Sequence, residues 1–180
     1  VGVELLHRKI GKLREDAQTD PLTGLCNRRG LELTLDLWKL ENRPFAVLAL
    51  DIDHFKQVND RFGHAAGDQV LQRLARLMRI CSRDNDLLCR VGGEEFLMLL
   101  ADASPASAER VAERLRRQVE MATIEPVGHI TVSLGVAHWP THAGDMLSAL
   151  RVADDMLYAA KQAGRNCVVV AGSAANGVPS

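Results

Sequence analysis

A chain of 180 residues with 47% apolar and 25% charged residues has enough material for one domain with a full-sized core, and its composition excludes disordered and fibrous classes. A formal net charge of −1 gives no electrostatic case for a nucleic-acid duplex or for membrane contact by this part of the protein. The four cysteines, Cys26, Cys81, Cys89 and Cys167, make no Cys-x-x-Cys pair and no metal-ligand spacing, and are expected as reduced thiols of a cytosolic domain.

Val3, Leu6, Ile10, Leu13 and Ala17 follow a 3-4-3-4 spacing with charged residues between them, a short heptad seam. Residues 1–18 read as the end of a longer signalling helix, with a plain amphipathic helix packed on its own domain as the alternative. The opening Val in place of Met is consistent with a piece of a longer protein, one that itself crosses a membrane, although no apolar run here approaches spanning length. Pro21 and Gly24 break the helix. Asn27 is placed to cap the next helix, which runs to about Asn42 with Leu31, Leu35 and Trp38 on one face and Leu33, Leu37 and Leu40 alongside.

The segment Pro44 to Asp53 reads as a central strand, continuously apolar from Phe45 to Leu50 as a strand covered on both faces would be. It ends in Asp51-Ile52-Asp53. The period of two sends Asp51 and Asp53 to one face and leaves the Ile52 carbonyl free as a further oxygen ligand. A polar turn and short helix follow from His54, then a helix with Val70, Leu74, Leu77 and Met78 inward, then the polar loop Arg83-Asp84-Asn85-Asp86. Leu87 to Val91 and Phe96 to Leu100 read as two strands joined by a two-residue Gly92-Gly93 hairpin turn, with Glu94 and Glu95 at its tip. At an effective dielectric of ~20 each close carboxylate pair costs about 4 kcal/mol, so such a cluster requires cations. Oxygen-only ligands favour Mg²⁺ or Mn²⁺ over zinc.

Ser104-Pro105 starts a helix with Ala108, Val111, Ala112, Leu115 and Val119 inward. Ile130, Val132, Leu134 and Val136 alternate as a strand. Met146, Leu147, Leu150, Ala153, Leu157 and Ala160 define the last long helix, Gly164 stops it, and Cys167 to Ala171 is a closing strand. The order strand, helices, strand, strand, helix, strand, with one helix and strand added, predicts an α+β fold with a ferredoxin-like core: a central, mostly antiparallel sheet flanked by helices. The division expected is a linker helix over 1–18, a domain over 19–171 and a disordered tail or truncation scar over 172–180.

Asp51-Ile52-Asp53-His54-Phe55-Lys56, Asn59-Asp60, Gly63-His64, Gly67-Asp68 and Gly92-Gly93-Glu94-Glu95-Phe96, in this order, resemble the GGDEF family of diguanylate cyclases. The resemblance extends from Asp20 to Asn166 and includes Asp20 to Leu25, Asn27-Arg28-Arg29, Thr131 to Ala137, Tyr158 to Lys161 and Gly164-Arg165-Asn166. It implies a palm-type domain in the cytoplasm that condenses two GTP into cyclic di-GMP. Asp51, the Ile52 carbonyl and Glu94 are implied to hold Mg²⁺ or Mn²⁺; Glu in place of Asp at position 94 is a common active variant. Glu95 is implied to support the metal or activate the attacking hydroxyl, with Asp53 a second-rank candidate. Asn59 and Asp68 match the family's guanine readers, an assignment that suits a carboxylate accepting from the N1–H and N2–H₂ edge. His54, Phe55 and Lys56, with Lys161 and Arg165 four apart on one helix face, match its triphosphate contacts. Arg83 and Asp86 match its inhibitory Arg-x-x-Asp site for cyclic di-GMP, with Arg114 and Arg110 as further arginines. One acidic cluster and one base-reading pair make half a reaction centre, so the resemblance implies a homodimer regulated through the N-terminal helix by an upstream sensory domain. Three other readings stay open: a degenerate domain that only binds GTP or cyclic di-GMP, a structural dimerisation module, and a cyclase of different base preference. Turnover of GTP with Mg²⁺ decides against the first, and loss of guanine preference in Asp68→Ser against the last.

Overall fold

The computed structural model describes residues 2–172, apart from the side chains of residues 13–16; the expectations for Leu13 and for the tail beyond 172 lie outside the described residues. Phe45–Ile52 forms β1, and every residue of it is buried. Its place in the sheet explains why. The strand order is β2-β3-β1-β4-β5, with β2 at Leu87–Arg90, β3 at Glu95–Ala101, β4 at Val132–Trp139 and β5 at Val168–Val170. β1 pairs antiparallel with β3 and β4, β2 antiparallel with β3, and β5 parallel with β4.

The helices are α1 (Gly2–Gln18), α2 (Arg28–Glu41), α3 (Phe55–Phe62), α4 (His64–Ile80), α5 (Pro105–Met121) and α6 (Met146–Gln162). Strand periodicity divides β1 between two cores. Ala46, Leu48, Leu50 and Ile52 pack with Val70, Leu74 and Met78 of α4 and Ala108, Ala112 and Leu115 of α5. Phe45, Val47 and Ala49 pack with Leu31, Leu35 and Trp38 of α2 and Met146, Ala149 and Ala153 of α6. The result is a mixed five-stranded sheet between helical layers, the palm-like α+β architecture expected, with α6 and β5 appended to the ferredoxin-like order.

Helix ends follow local chemistry. The Asn27 side chain accepts from the Gly30 N–H at 3.0 Å, and Ser104 and Ser107 form a capping box before Pro105. Gly164, at φ +115°, takes the left-handed position after α6. At Gly135 the backbone of α6 lies directly on β4: a Cβ there would be 2.2 Å from the Ala153 carbonyl and the Leu157 nitrogen.

Several expected boundaries and faces differ. β4 begins at Val132, not Ile130, and continues to Trp139; β5 is limited to Val168–Val170. Leu147 is 66% exposed, and Leu33, Leu37 and Leu40 of α2 face solvent, because one helix stripe suffices to cover the sheet. Val3, Leu6 and Ile10 of α1 are also exposed, so α1 does not bury its seam on its own domain.

Candidate active site

The end of β1 delivers Asp51 into a buried position directly opposite Glu95 of β3 and Ser133 of β4. Lys161, in the last turn of α6, donates to Asp51 Oδ2 at 2.5 Å. Asp51 Oδ1 is buried without a hydrogen-bond partner among the described residues. Burial pushes the Asp51 carboxyl above its ordinary value; the Lys161 ammonium offsets only part of this, and Asp53 and Glu95 add to it. Burial also pushes the Glu94 carboxyl up, and Asp51 and Glu95 repel its charge while Lys161 attracts it. The acids from β1 and from the hairpin therefore share one region, as the sequence predicts, with Lys161 as the counter-charge.

The hairpin itself is not a two-residue turn. Arg90 pairs with Phe96, and the Glu95 carbonyl accepts from the N–H groups of Val91 at 2.9 Å and Gly92 at 3.4 Å, so Gly92, Gly93 and Glu94 form the connection. Neither glycine holds a left-handed φ. Glu95 folds back over Gly92: a Cβ there would lie 2.6 Å from Glu95 Oε2, so the Glu95 side chain would have to move to admit it. The connection is tied down by Arg90, whose Nε and Nη2 donate to the Gly93 carbonyl at 3.0 and 2.8 Å while Nη1 reaches Asp20 Oδ1 at 3.2 Å. Asp20 also accepts from the Thr23 N–H and hydroxyl at 2.9 and 2.6 Å. These positioning residues, Asp20, Thr23 and Arg90, carry no role in the sequence reading, although all lie inside or beside its motifs.

Asp53 does not join the cluster as a free ligand. It accepts from Thr131 Oγ1 and Ser133 Oγ, both at 2.7 Å, and from the Asn166 N–H at 3.0 Å, which anchors the turn after α6. Arg165 lies in that turn with φ +66°, beyond the end of α6 at Gln162, so it does not share a helix face with Lys161. His54 stands at the start of α3 with φ +57° and no side-chain cap. His54 and Lys56 are exposed, whereas Phe55 is buried in the core, so only the backbone of Phe55 is available to a ligand. Asn59 lies over Gly67, where a Cβ would be 1.9 Å from its Oδ1, and Asp68, the next residue of α4, is exposed.

Among the described residues no three His, Cys, Asp or Glu side chains converge as a ready-made metal cage. The donors present are the orphaned Asp51 oxygen, Glu94, and Ile52, which lies beyond the last pairing of β1 with β3 at Asp51–Glu95. Hard oxygen donors of this kind, with carboxyls raised by burial and mutual repulsion, fit Mg²⁺ or Mn²⁺. A groove of about 660 Å³ between α2, the sheet and α6 ends at Asp51, Glu95 and Lys161. A separate cleft of about 290 Å³ brings Arg83, Asp86, Arg110 and Arg114 together beside Leu100 and Ala101 of β3. There Asp86 Oδ2 accepts from the Arg83 N–H at 2.8 Å, and Arg114 Nη2 donates to the Cys81 carbonyl at 3.1 Å.

The family model described as Diguanylate cyclase, GGDEF domain, matches residues 17–167. The chain is 41% identical over 161 residues to the probable diguanylate cyclase DgcT of Escherichia coli K12, covering 86% of this chain and 36% of that protein. It is 40% identical over 175 residues to the response regulator PleD of Caulobacter vibrioides, covering 92% and 38%. Among solved structures, the coiled coil and GGDEF domain of DgcB from Caulobacter crescentus in complex with c-di-GMP matches with a TM-score of 0.84 at 34% identity, with 94% of each chain covered. The active GGEEF domain of a diguanylate cyclase from Vibrio cholerae matches with a TM-score of 0.75 at 35% identity, covering 81% of this chain and 97% of that one. The chain spans between a third and a half of the curated relatives it matches first. With an acidic strand end, a Gly-Gly-Glu-Glu-Phe connection and a palm-like sheet in one frame, the chain belongs to the GGDEF family of diguanylate cyclase domains.

Proposed function

We propose that this domain is a diguanylate cyclase, joining two GTP into cyclic di-GMP with release of two pyrophosphates. The observation that carries this reading is the buried Asp51 at the end of β1, with one unpartnered oxygen, opposite Glu95 and within the field of Glu94. Asp51, the Ile52 carbonyl and Glu94 would hold Mg²⁺ or Mn²⁺, which supplies Lewis acidity toward the α-phosphate and a ribose 3′-hydroxyl.

The chain's own groups then have separable tasks. Lys161 and Arg165 attract the triphosphate, with the backbone N–H groups of His54, Phe55 and Lys56 at the open first turn of α3 and the exposed Lys56 ammonium. Asn59 and Asp68 read guanine; an adenine edge would leave the Asp68 acceptors unpaired. Glu95 takes the proton of the attacking hydroxyl, a role supported by its exposure and its pairing with Asp51. Arg83, Asp86, Arg110 and Arg114 form the cleft for cyclic di-GMP as feedback inhibitor, since planar guanidinium groups suit both phosphate and the guanine N7/O6 edge. Each chain supplies half a centre, so two copies face each other. The exposed seam of α1 brings them together and transmits the state of an upstream sensory domain. No helix of the described residues is long and apolar enough to cross a membrane, and use of GTP assigns the domain to the cytoplasm.

Incubation with GTP and Mg²⁺ followed by product chromatography tests the reading. Cyclic di-GMP and pyrophosphate are expected, with a loss of ~10²-fold or more in Glu94→Ala and in Asp51→Asn. No cyclic di-GMP from the wild type, or undiminished product from both variants, would overturn it.

A further inference from the structure

The reaction proposed above uses none of the cysteines, yet the fold places Cys26 and Cys89 against each other. The Cys26 N–H donates to the Leu88 carbonyl at 2.9 Å and the Arg90 N–H to the Cys26 carbonyl at 2.8 Å, a parallel bridge in which Cys26 and Cys89 are the paired residues. Neighbouring strands stand about 4.7–4.9 Å apart. That spacing lies within the Cα separation of ~4.4–6.8 Å that a disulfide spans, and paired residues put their side chains on the same side.

The pair is chemically unequal. Cys26 is partly open to solvent, and Cys89 is wholly buried. Cys26 Sγ rests on the first turn of α2, where a Cβ on Gly30 would lie 2.1 Å from it. A helix N-terminus favours thiolate. The adjoining Cys89 thiol holds the Cys26 thiol below its ordinary range, against burial and with help from the Asn27 N–H, while the neighbouring Cys26 and burial push Cys89 up. Cys81 and Cys167 have different surroundings: Cys81 lies beside Arg114, and Cys167 Sγ contacts the Ala160 carbonyl.

We propose that Cys26 and Cys89 are a peroxide-responsive thiol pair that closes a reversible disulfide. The Cys26 thiolate attacks a hydroperoxide, the O–O bond breaks, and sulfur takes the hydroxyl as a sulfenic acid while the alkoxide or hydroxide leaves and is protonated. Cys89 sulfur then displaces hydroxide from Cys26 sulfur, and its proton leaves with that hydroxide as water. Two thiols and one hydroperoxide give one disulfide, one alcohol or water, and one further water. The bond fixes the connection between α1 and α2 to β2, alongside the Asp20–Arg90 ion pair that already joins them.

The test uses the whole chain, a slight molar excess of hydrogen peroxide, alkylation with iodoacetamide in denaturant, and peptide mapping without reductant. The expected result is a peptide pair joining Cys26 and Cys89, two hydrogens lighter than the separate peptides, separated by dithiothreitol and absent in Cys26→Ser. In Cys89→Ala, which keeps a small apolar group in the buried slot, Cys26 instead accumulates as a dimedone-reactive sulfenic acid. Dimedone present during oxidation of the wild type should label Cys26 and suppress the cross-link, a readout that depends on no variant. Alkylation of both Cys26 and Cys89 after peroxide treatment, or a disulfide through Cys81 or Cys167 in their place, would overturn the proposal.

Discussion

Asp51 is held in place at a cost to the fold. Its carboxyl is raised by burial beyond what Lys161 offsets, so the folded chain binds its proton more tightly than the unfolded chain does. Stability then falls as pH rises from the ordinary value of 3.8 through the raised one, and the cost persists above it. Asp51→Asn should therefore melt higher than the wild type without divalent cations near neutral pH, by about 2–4 °C for each kcal/mol recovered. Lys161 keeps 30% of its side chain in solvent, so loss of the pair leaves it hydrated. Melting curves across pH for both proteins check this; a variant that melts lower would mean that the ion pair outweighs burial. Asp20 has the opposite sign. Burial pushes its carboxyl up, but the Thr23 hydrogen bonds and Arg90 hold it below 3.8 in net effect. Its contribution is complete above that value and is lost as pH falls through the lowered one. Asp20→Asn should cost about 1.5–3 kcal/mol at neutral pH, measured by denaturant titration, with the difference closing in acid. Asp51 and Glu94 were legible in the sequence because acids that end apolar strands have few structural explanations. The fate of Asp53 was not, since Thr131, Ser133 and Asn166 come from distant parts of the chain.

The elements matter because they fix distances between such residues. α6 holds Lys161 over Asp51 only while its backbone rests on Gly135. Gly135→Ala forces Cβ against backbone atoms at 2.2 Å, which cannot yield as a flexible side chain would. A destabilisation of ~1–3 kcal/mol is expected, read from the denaturant midpoint, whereas Gly93→Ala, with nothing within 4 Å of the added carbon, should leave the midpoint in place. Helix starts at Asn27 and Ser104 could be read directly, because capping is local chemistry. The hairpin length could not: it is set by the Arg90 guanidinium on the Gly93 carbonyl and by the doubly accepting Glu95 carbonyl. Arg165 leaves the helix face because Gly164 turns the chain first.

For the whole molecule, the order of elements was enough to give the ferredoxin-like core, since antiparallel neighbours and a split crossover follow from it. The covering of α1 was undecided in sequence, because a heptad looks the same packed inward or outward. Here Val3, Leu6 and Ile10 face outward. Specific activity should therefore rise with chain concentration through the dimer's dissociation range, and Leu6→Glu with Ile10→Glu should move that rise to higher concentration without changing the melting temperature of the domain. Ultracentrifugation with parallel initial rates tests this, and a rate per chain independent of dilution would refute it. The path of β3 links the arginine cleft to the acids. This strand begins at Glu95 by the acids and ends at Ala101 in the cleft wall, about 20 Å away. Because it is hydrogen-bonded along both edges and buried through its middle, it behaves as a stiff ruler that holds the cleft and the carboxylates at a fixed separation.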